Sequence, residues 1–476
     1  MSAAEDFDLI IIGSGSGNTL LDERWAEQRV AMIDGGTFGG TCINVGCIPT
    51  KMFAYPAETA REALELDRLG VRMAREAVDW PGMRDRIFGR IDPISEGGLE
   101  YRRSQENVTV FTENCRFIDQ HTVRTDSGRE LRGAQIVIAA GARAVLPDIP
   151  GIDLPGVHTS DTVMRLERLP QRIVILGGGF IAAEFASIFS GLGAQVIQCN
   201  RSQRLLREHD ELIAERFTEA ARRQWDLRLG TTISSLRERE GGGLEVVLQS
   251  TEHAGDLPEE SIEADVVLLA TGRVSNADRL GAAEVGFDVA EGILQVDPEQ
   301  RVLSQGQPVE GIFALGDVCS RIQLKHFANA QARTVAHNLL ADPEDLRRTD
   351  SRYVPAAVFA SPQIAAVGLT EEQAREQARR KGQEITVSVQ EMGDVAYGWA
   401  MEDVQGAVKL IACRDTGHLL GAQVIGHDAA TLIQPLVQAM SFGLDAHSMA
   451  RGQYWIHPAL TEAVENALLG LETADS

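Results

Sequence analysis

Residues 7–12, Phe-Asp-Leu-Ile-Ile-Ile, make a short apolar run of the kind shown by a strand buried on both faces. Gly13-Ser14-Gly15-Ser16-Gly17-Asn18 follows, then a helical pattern from Thr19 to Glu27. A second short strand, Val30 to Ile33, ends at Asp34. Strand, glycine turn, helix, strand and acid in this order predict a βαβ unit. The order recurs with a strand at Arg172–Leu176, the turn Gly177-Gly178-Gly179-Phe180-Ile181-Ala182, a helix through Glu184–Ser190 and a strand at Val196–Gln198. Ile136–Gly141 and Val266–Gly272 are apolar strands ending in small residues, where the chain can cross between domains. After Ser351 the glycine turns stop, and Val358-Phe359, Ala365–Val367 and Val408–Ile411 predict antiparallel strands. The expected fold is α/β, with two dinucleotide-binding domains and a C-terminal α+β domain. The segments are 1–150, 151–276, 277–347 (returning to the first domain) and 348–476.

The chain has 476 residues, enough for about three domains. With 45 basic against 69 acidic side chains the net charge is −24, a field that disfavours nucleic acid or an anionic membrane surface as partner. No apolar run approaches the ~18–20 residues of a membrane-spanning helix. Met1–Asp8 is acidic and reads as neither signal nor transit peptide. Six cysteines are too few for a secreted disulfide scaffold, so a cytoplasmic setting is expected. Lysine is scarce: Lys51, Lys325, Lys381 and Lys409 are the only four.

Gly13, Gly15 and Gly17 suit a backbone that bends tightly and approaches a pyrophosphate, and Asp34, 21 residues after Gly13, suits a ribose hydroxyl. Asn18 stands where Gly or Ala is usual. Cys42 and Cys47 lie five apart just beyond that acid, and a helix is expected to begin around Pro49. Its dipole would favour the thiolate, the form that attacks disulfides. Zinc is disfavoured because no second Cys or His pair completes four ligands, so no metal is expected. Gly177, Gly179 and Ala182 complete the second fingerprint. Where an NAD site carries an acid stands Asn200, followed by Arg201, Arg204 and Arg207, a set suited to the 2′-phosphate of NADPH.

The stretch Gly39-Gly40-Thr41-Cys42-Ile43-Asn44-Val45-Gly46-Cys47-Ile48-Pro49-Thr50-Lys51 resembles the redox-active disulfide of the flavoprotein disulfide reductases, the family of glutathione reductase and dihydrolipoamide dehydrogenase. The resemblance runs through the whole chain. It implies Rossmann-like FAD and NADPH domains and a C-terminal dimerisation domain. FAD would be bound by Gly13, Gly15, Gly17, Asp34, Thr41, Lys51 and Asp317, the last in Gly311-Ile-Phe-Ala-Leu-Gly-Asp-Val-Cys319. NADPH would be bound by Gly177, Gly179, Ala182, Arg201, Arg207 and Gly272, with Ser202 replacing a family histidine and Phe180 in the place of the lid tyrosine. Cys47 would face the flavin, Cys42 would attack the substrate, and Lys51 would pair with Glu184. His457 and Glu462, in a segment matching HPxxxE, would serve as acid and orienting carboxylate in the partner subunit's site, which implies a homodimer.

The substrate implied is a low-molecular-weight disulfide. Details of the first turn and cysteine stretch resemble the actinobacterial members that act on mycothiol disulfide. Glu23 stands where glutathione reductases carry an arginine, which suits an essentially uncharged disulfide. Alternatives are NAD-linked dihydrolipoamide oxidation and a non-catalytic flavin-binding redox sensor. Cys115, Cys199, Cys319 and Cys413 are assigned no role.

Overall fold

The computed structural model describes residues 4–251 and 259–473, so the first three residues of the acidic N-terminal stretch lie outside it. Two compact units are formed, each from several chain segments. The first comprises Met1–Thr50, Pro81–Val145 and Gly272–Ser351, and the second Lys51–Trp80, Leu146–Thr271 and Arg352–Ser476.

The first unit is built on an eight-stranded sheet. Its main path runs Arg301–Ser304, Gln307–Ala314, Glu130–Ile138, Glu5–Ile12, Val30–Ile33, Val108–Phe111, parallel except at the first pair. Successive side chains alternate between faces. Ile10, Ile12, Ala31, Ile33, Ile136 and Ile138 pack into one core, while Leu9, Ile11, Val30, Met32 and Val137 pack into the other. An uninterrupted apolar run is therefore what this position in the sheet requires.

The second unit holds a five-stranded parallel sheet, Asp226–Leu229, Gln195–Asn200, Arg172–Leu176, Val266–Leu269, Val157–His158, and a three-stranded antiparallel one. Its C-terminal part is a five-stranded antiparallel sheet ordered Ala356–Val358, Ile364–Gly368, Leu419–Ile425, Ala407–Cys413, Ile385–Glu391. Lys409, buried on that sheet, is fully committed: its Nζ lies 2.8 Å from Asp210 Oδ1 and 2.7 Å from Glu371 Oε2.

Five helices position the chemistry: α1 (Gly40–Asn44), α2 (Cys47–Glu65), α3 (Phe180–Leu192), α4 (Lys325–Asn338) and α5 (Thr461–Leu469). The helix expected over Thr19–Glu27 is absent as such. Two 3₁₀ turns, Gly17–Leu20 and Glu23–Trp25, replace it, separated by an extended Leu21. Short polar side chains compete with the helix here. Asp22 caps the second turn by accepting from the Arg24 N–H at 3.0 Å, and the Thr19 hydroxyl donates to the Ser16 carbonyl at 2.7 Å. Among the described residues, no helix is long and apolar enough to cross a membrane.

Candidate active site

The first glycine turn leaves the end of the Glu5–Ile12 strand. Gly13 sits at φ +106°, and a Cβ there would stand 2.3 Å from the Ala139 carbonyl oxygen, so only glycine fits. Ser14 donates from its N–H (2.7 Å) and its hydroxyl (2.5 Å) to one Asp34 oxygen, and Gly36 N–H donates to the other at 2.8 Å. The acid is thereby held at the strand end, facing the turn. Asn18, the departure from the glycine pattern, accepts from Arg102 at both its side-chain and its carbonyl oxygen, 2.7 Å each. That clamp stabilises a 3₁₀ turn where an α-helix was expected.

Gly40 lies against this turn, close enough that a Cβ on it would stand 2.7 Å from the Gly15 Cα. The loop leading to the cysteines is tied by Asn44, whose buried amide donates to the carbonyls of Phe38 (2.9 Å), Gly40 (3.0 Å) and Thr37 (3.3 Å). Sequence reasoning gave Asn44 no role; a polar residue amid the apolar positions of that stretch was the available signal. Thr41 is exposed, and Glu23 lies in the exposed second 3₁₀ turn.

Cys42 sits in α1, and Cys47 is the first residue of α2, so the helix begins two residues before the expected Pro49. Cys47, not Cys42, stands at the N-terminus of a long helix. The Cys42 thiol is hydrogen-bonded to Cys47, and that bond together with burial pushes its pKa well up, against a smaller downward pull from the Lys325 ammonium. Burial pushes Cys115, Cys199 and Cys319 up to about 12, which leaves them inert as nucleophiles.

Asp317 follows the Gln307–Ala314 strand in a 3₁₀ turn. Its half-buried carboxylate receives no hydrogen bond among the described residues, and burial raises its pKa against the pull of Arg273 and Lys325. A carboxylate left without a donor fits a ligand hydroxyl. With Asp34 and the Gly13–Gly17 turn, these residues fit a flavin dinucleotide.

In the second unit, Lys51 Nζ lies 2.6 Å from each Glu184 carboxylate oxygen, and the Phe359 N–H donates to Oε1 at 2.9 Å. The ammonium stands 4.5 Å over the Phe359 ring. Lys51 is one helical turn from Cys47 on α2, so Glu184 holds it from α3.

Gly177, at φ +142°, starts the second turn, and a Cβ would meet the Ala270 carbonyl at 2.2 Å. Ala182, in the first turn of α3, is fully buried, and Phe180 at the helix start is exposed. Asn200 ends its strand with the amide donating to the Ser202 carbonyl (3.0 Å), the Ser202 hydroxyl (2.9 Å) and the Arg204 carbonyl (3.0 Å). It thus shapes the loop that carries the arginines. The Arg201 guanidinium is exposed and forms no ion pair among the described residues, Arg204 pairs with Glu211, and Arg207 pairs with Glu208 at 3.2 Å. The glycine turn and this open basic loop fit a phosphorylated dinucleotide. Gly272, at φ +131°, falls in the first unit, where its carbonyl accepts from the Val145 N–H at 2.9 Å.

His457 is 71% exposed at its side chain, and its Nδ1 lies 2.7 Å from Glu462 Oε1. The pair joins the segment before α5 to the helix itself, and the imidazole holds the Glu462 carboxyl below its usual range.

The pyridine nucleotide-disulphide oxidoreductase model matches residues 7–332, and the dimerisation domain model of the same group matches 354–468. The chain is 53% identical to Mycothione reductase of Mycobacterium tuberculosis (strain CDC 1551 / Oshkosh), over 98% of this chain and 100% of that one. It is 33% identical to Glutathione reductase of Burkholderia cepacia, over 91% and 92%. The HOCl-induced flavoprotein disulfide reductase RclA from Escherichia coli superposes with a TM-score of 0.81 at 30% identity, covering 97% of this chain and 99% of that one.

Proposed function

The chain belongs to the pyridine nucleotide-disulphide oxidoreductase family and is a flavoprotein disulfide oxidoreductase, and from that premise we propose that it uses FAD and NADPH to reduce mycothiol disulfide. The observation that carries the reading is the Cys42–Cys47 pair, with one sulfur at a helix N-terminus and the other protonated through it.

FAD, held by the first glycine turn, Asp34 and Asp317, would pass the two electrons of NADPH to the sulfur pair. NADPH would be held by the second turn with Arg201 and Arg207. Hydrogen bonding to Cys47 and burial hold the proton on Cys42, so Cys42 attacks a disulfide only after losing that proton. The His457–Glu462 pair of the partner subunit takes it and then returns it to the departing thiolate. The bond formed is Cys42 to substrate sulfur, and the bond broken is the substrate disulfide. Cys47 then attacks Cys42, closing the protein disulfide and expelling the second substrate sulfur as a thiolate, which takes its proton from solvent. Lys51, held by Glu184 one turn beyond Cys47, keeps a fixed positive charge near that sulfur. The match over 354–468 supports a homodimer in which this exchange across subunits takes place.

The 53% identity over essentially the full length supports mycothiol disulfide as substrate, as does the exposed Glu23, which disfavours an anionic disulfide. The test is steady-state turnover of mycothiol disulfide, glutathione disulfide and lipoamide with each nicotinamide. The expected best pair is mycothiol disulfide with NADPH. A best pair of lipoamide with NADH, or no turnover of any disulfide, sinks the proposal.

A further inference from the structure

A diphosphate bound at a glycine turn is ordinarily balanced by the N–H groups and dipole of an α-helix that follows directly. In this chain the first glycine turn leads only into the four-residue 3₁₀ turn Gly17–Leu20, broken at Leu21. So short a turn aligns few peptide dipoles. The second glycine turn, by contrast, opens the 13-residue α3. The first turn therefore lacks a source of positive charge that the second possesses.

A lysine from a distant segment stands in that place. Lys325, the first residue of α4, donates from Nζ to the Ser16 hydroxyl at 2.9 Å, across 309 residues of sequence. One turn further along α4, Asn329 Oδ1 lies 3.3 Å from the same hydroxyl, so the start of α4 is registered on the glycine turn by two side chains. Lys325 is half-buried and has no ion-pair partner among the described residues. A partly desolvated ammonium with no counter-ion is costly unless a ligand supplies one. Its charge also acts on Asp317 and on Cys42, which places it amid the groups that face the flavin. In a chain with 45 basic residues and four lysines, a compact ammonium at this point suits a phosphate oxygen approached end-on.

We propose that Lys325 binds the diphosphate of the flavin dinucleotide, supplying from α4 the positive charge that the 3₁₀ turn at Gly17–Leu20 does not. The inference rests on the FAD reading above. The ligand class is a diphosphate ester.

The test is titration of flavin-stripped full-length protein with FAD and with riboflavin, which shares the ring and ribityl chain but carries no phosphate. Lys325→Met is expected to weaken FAD by about 10–100-fold, as for loss of a charged hydrogen bond, and riboflavin by less than about twofold. Lys325→Arg is expected to keep most of the FAD affinity, and the salt dependence of FAD binding to become shallower in Lys325→Met. Unchanged FAD affinity in Lys325→Met, or equal weakening of FAD and riboflavin, overturns the inference. If Lys325→Met does not fold, FAD affinity of the unaltered protein that is insensitive to salt overturns it instead. Failure of the FAD reading itself shows separately, as an unaltered protein that takes up no FAD.

Discussion

The proposed use of NADPH rather than NADH rests on Arg201 and Arg207, whose present engagements differ, so their replacements should differ as well. Arg201 is exposed and forms no ion pair among the described residues, so nothing competes for it when a 2′-phosphate arrives. A hydrogen bond to a charged group contributes about 1.5–3 kcal/mol, and solvent exposure reduces that to about 1–2 kcal/mol here. At about 1.4 kcal/mol per decade, Arg201→Ala should lower kcat/KM for NADPH by roughly 5–30-fold. Arg207 must release Glu208 before it can serve, so Arg207→Ala should cost less, about 3–10-fold. NADH lacks the phosphate, and both variants should leave its kcat/KM within about twofold. Initial rates with saturating disulfide and varied nicotinamide measure all of this. Glu208→Gln frees Arg207 and should raise NADPH efficiency modestly. Equal losses for both nicotinamides would mean that the loop shaped by Asn200 had collapsed. Unchanged NADPH efficiency in Arg201→Ala would refute the role of that guanidinium outright.

Three further outcomes follow from the geometry. Cys47→Ala removes the sulfur that raises the Cys42 pKa, so the pH midpoint for alkylation of Cys42, followed by mass spectrometry, should fall; an unmoved midpoint contradicts the shared proton. Glu462→Gln removes the carboxylate hydrogen-bonded to His457 Nδ1, and kcat/KM should drop roughly 10–100-fold; an unchanged kcat/KM contradicts the orienting role. His427 has its pKa raised by hydrogen bonding to Glu62, so its contribution to stability is present below the unfolded histidine pKa and is lost as pH rises through the folded one. His427→Gln should therefore destabilise by about 0.5 kcal/mol at pH 6 and by almost nothing at pH 9 in thermal unfolding, the reverse order being disqualifying.

Local sterics and periodicity carried much of the chemistry by themselves. A buried parallel strand needs an apolar run, and a backbone at φ +106° or +142° needs glycine, so both turns were legible in the chain. The cysteine spacing and the missing acid at Asn200 were equally local. What the residue pattern left open was decided by the sheet order, which brings strand ends and distant helices together. It set the 3₁₀ turn after Gly17, because Arg102, 84 residues away, clamps Asn18. It brought Lys325 to Ser16 across 309 residues, while the equally scarce Lys409 was spent on a buried ion cluster. A side chain's charge is written in the sequence. Which neighbours it loses water to, and hence what it can bind or protonate, exists only once the chain has closed around it.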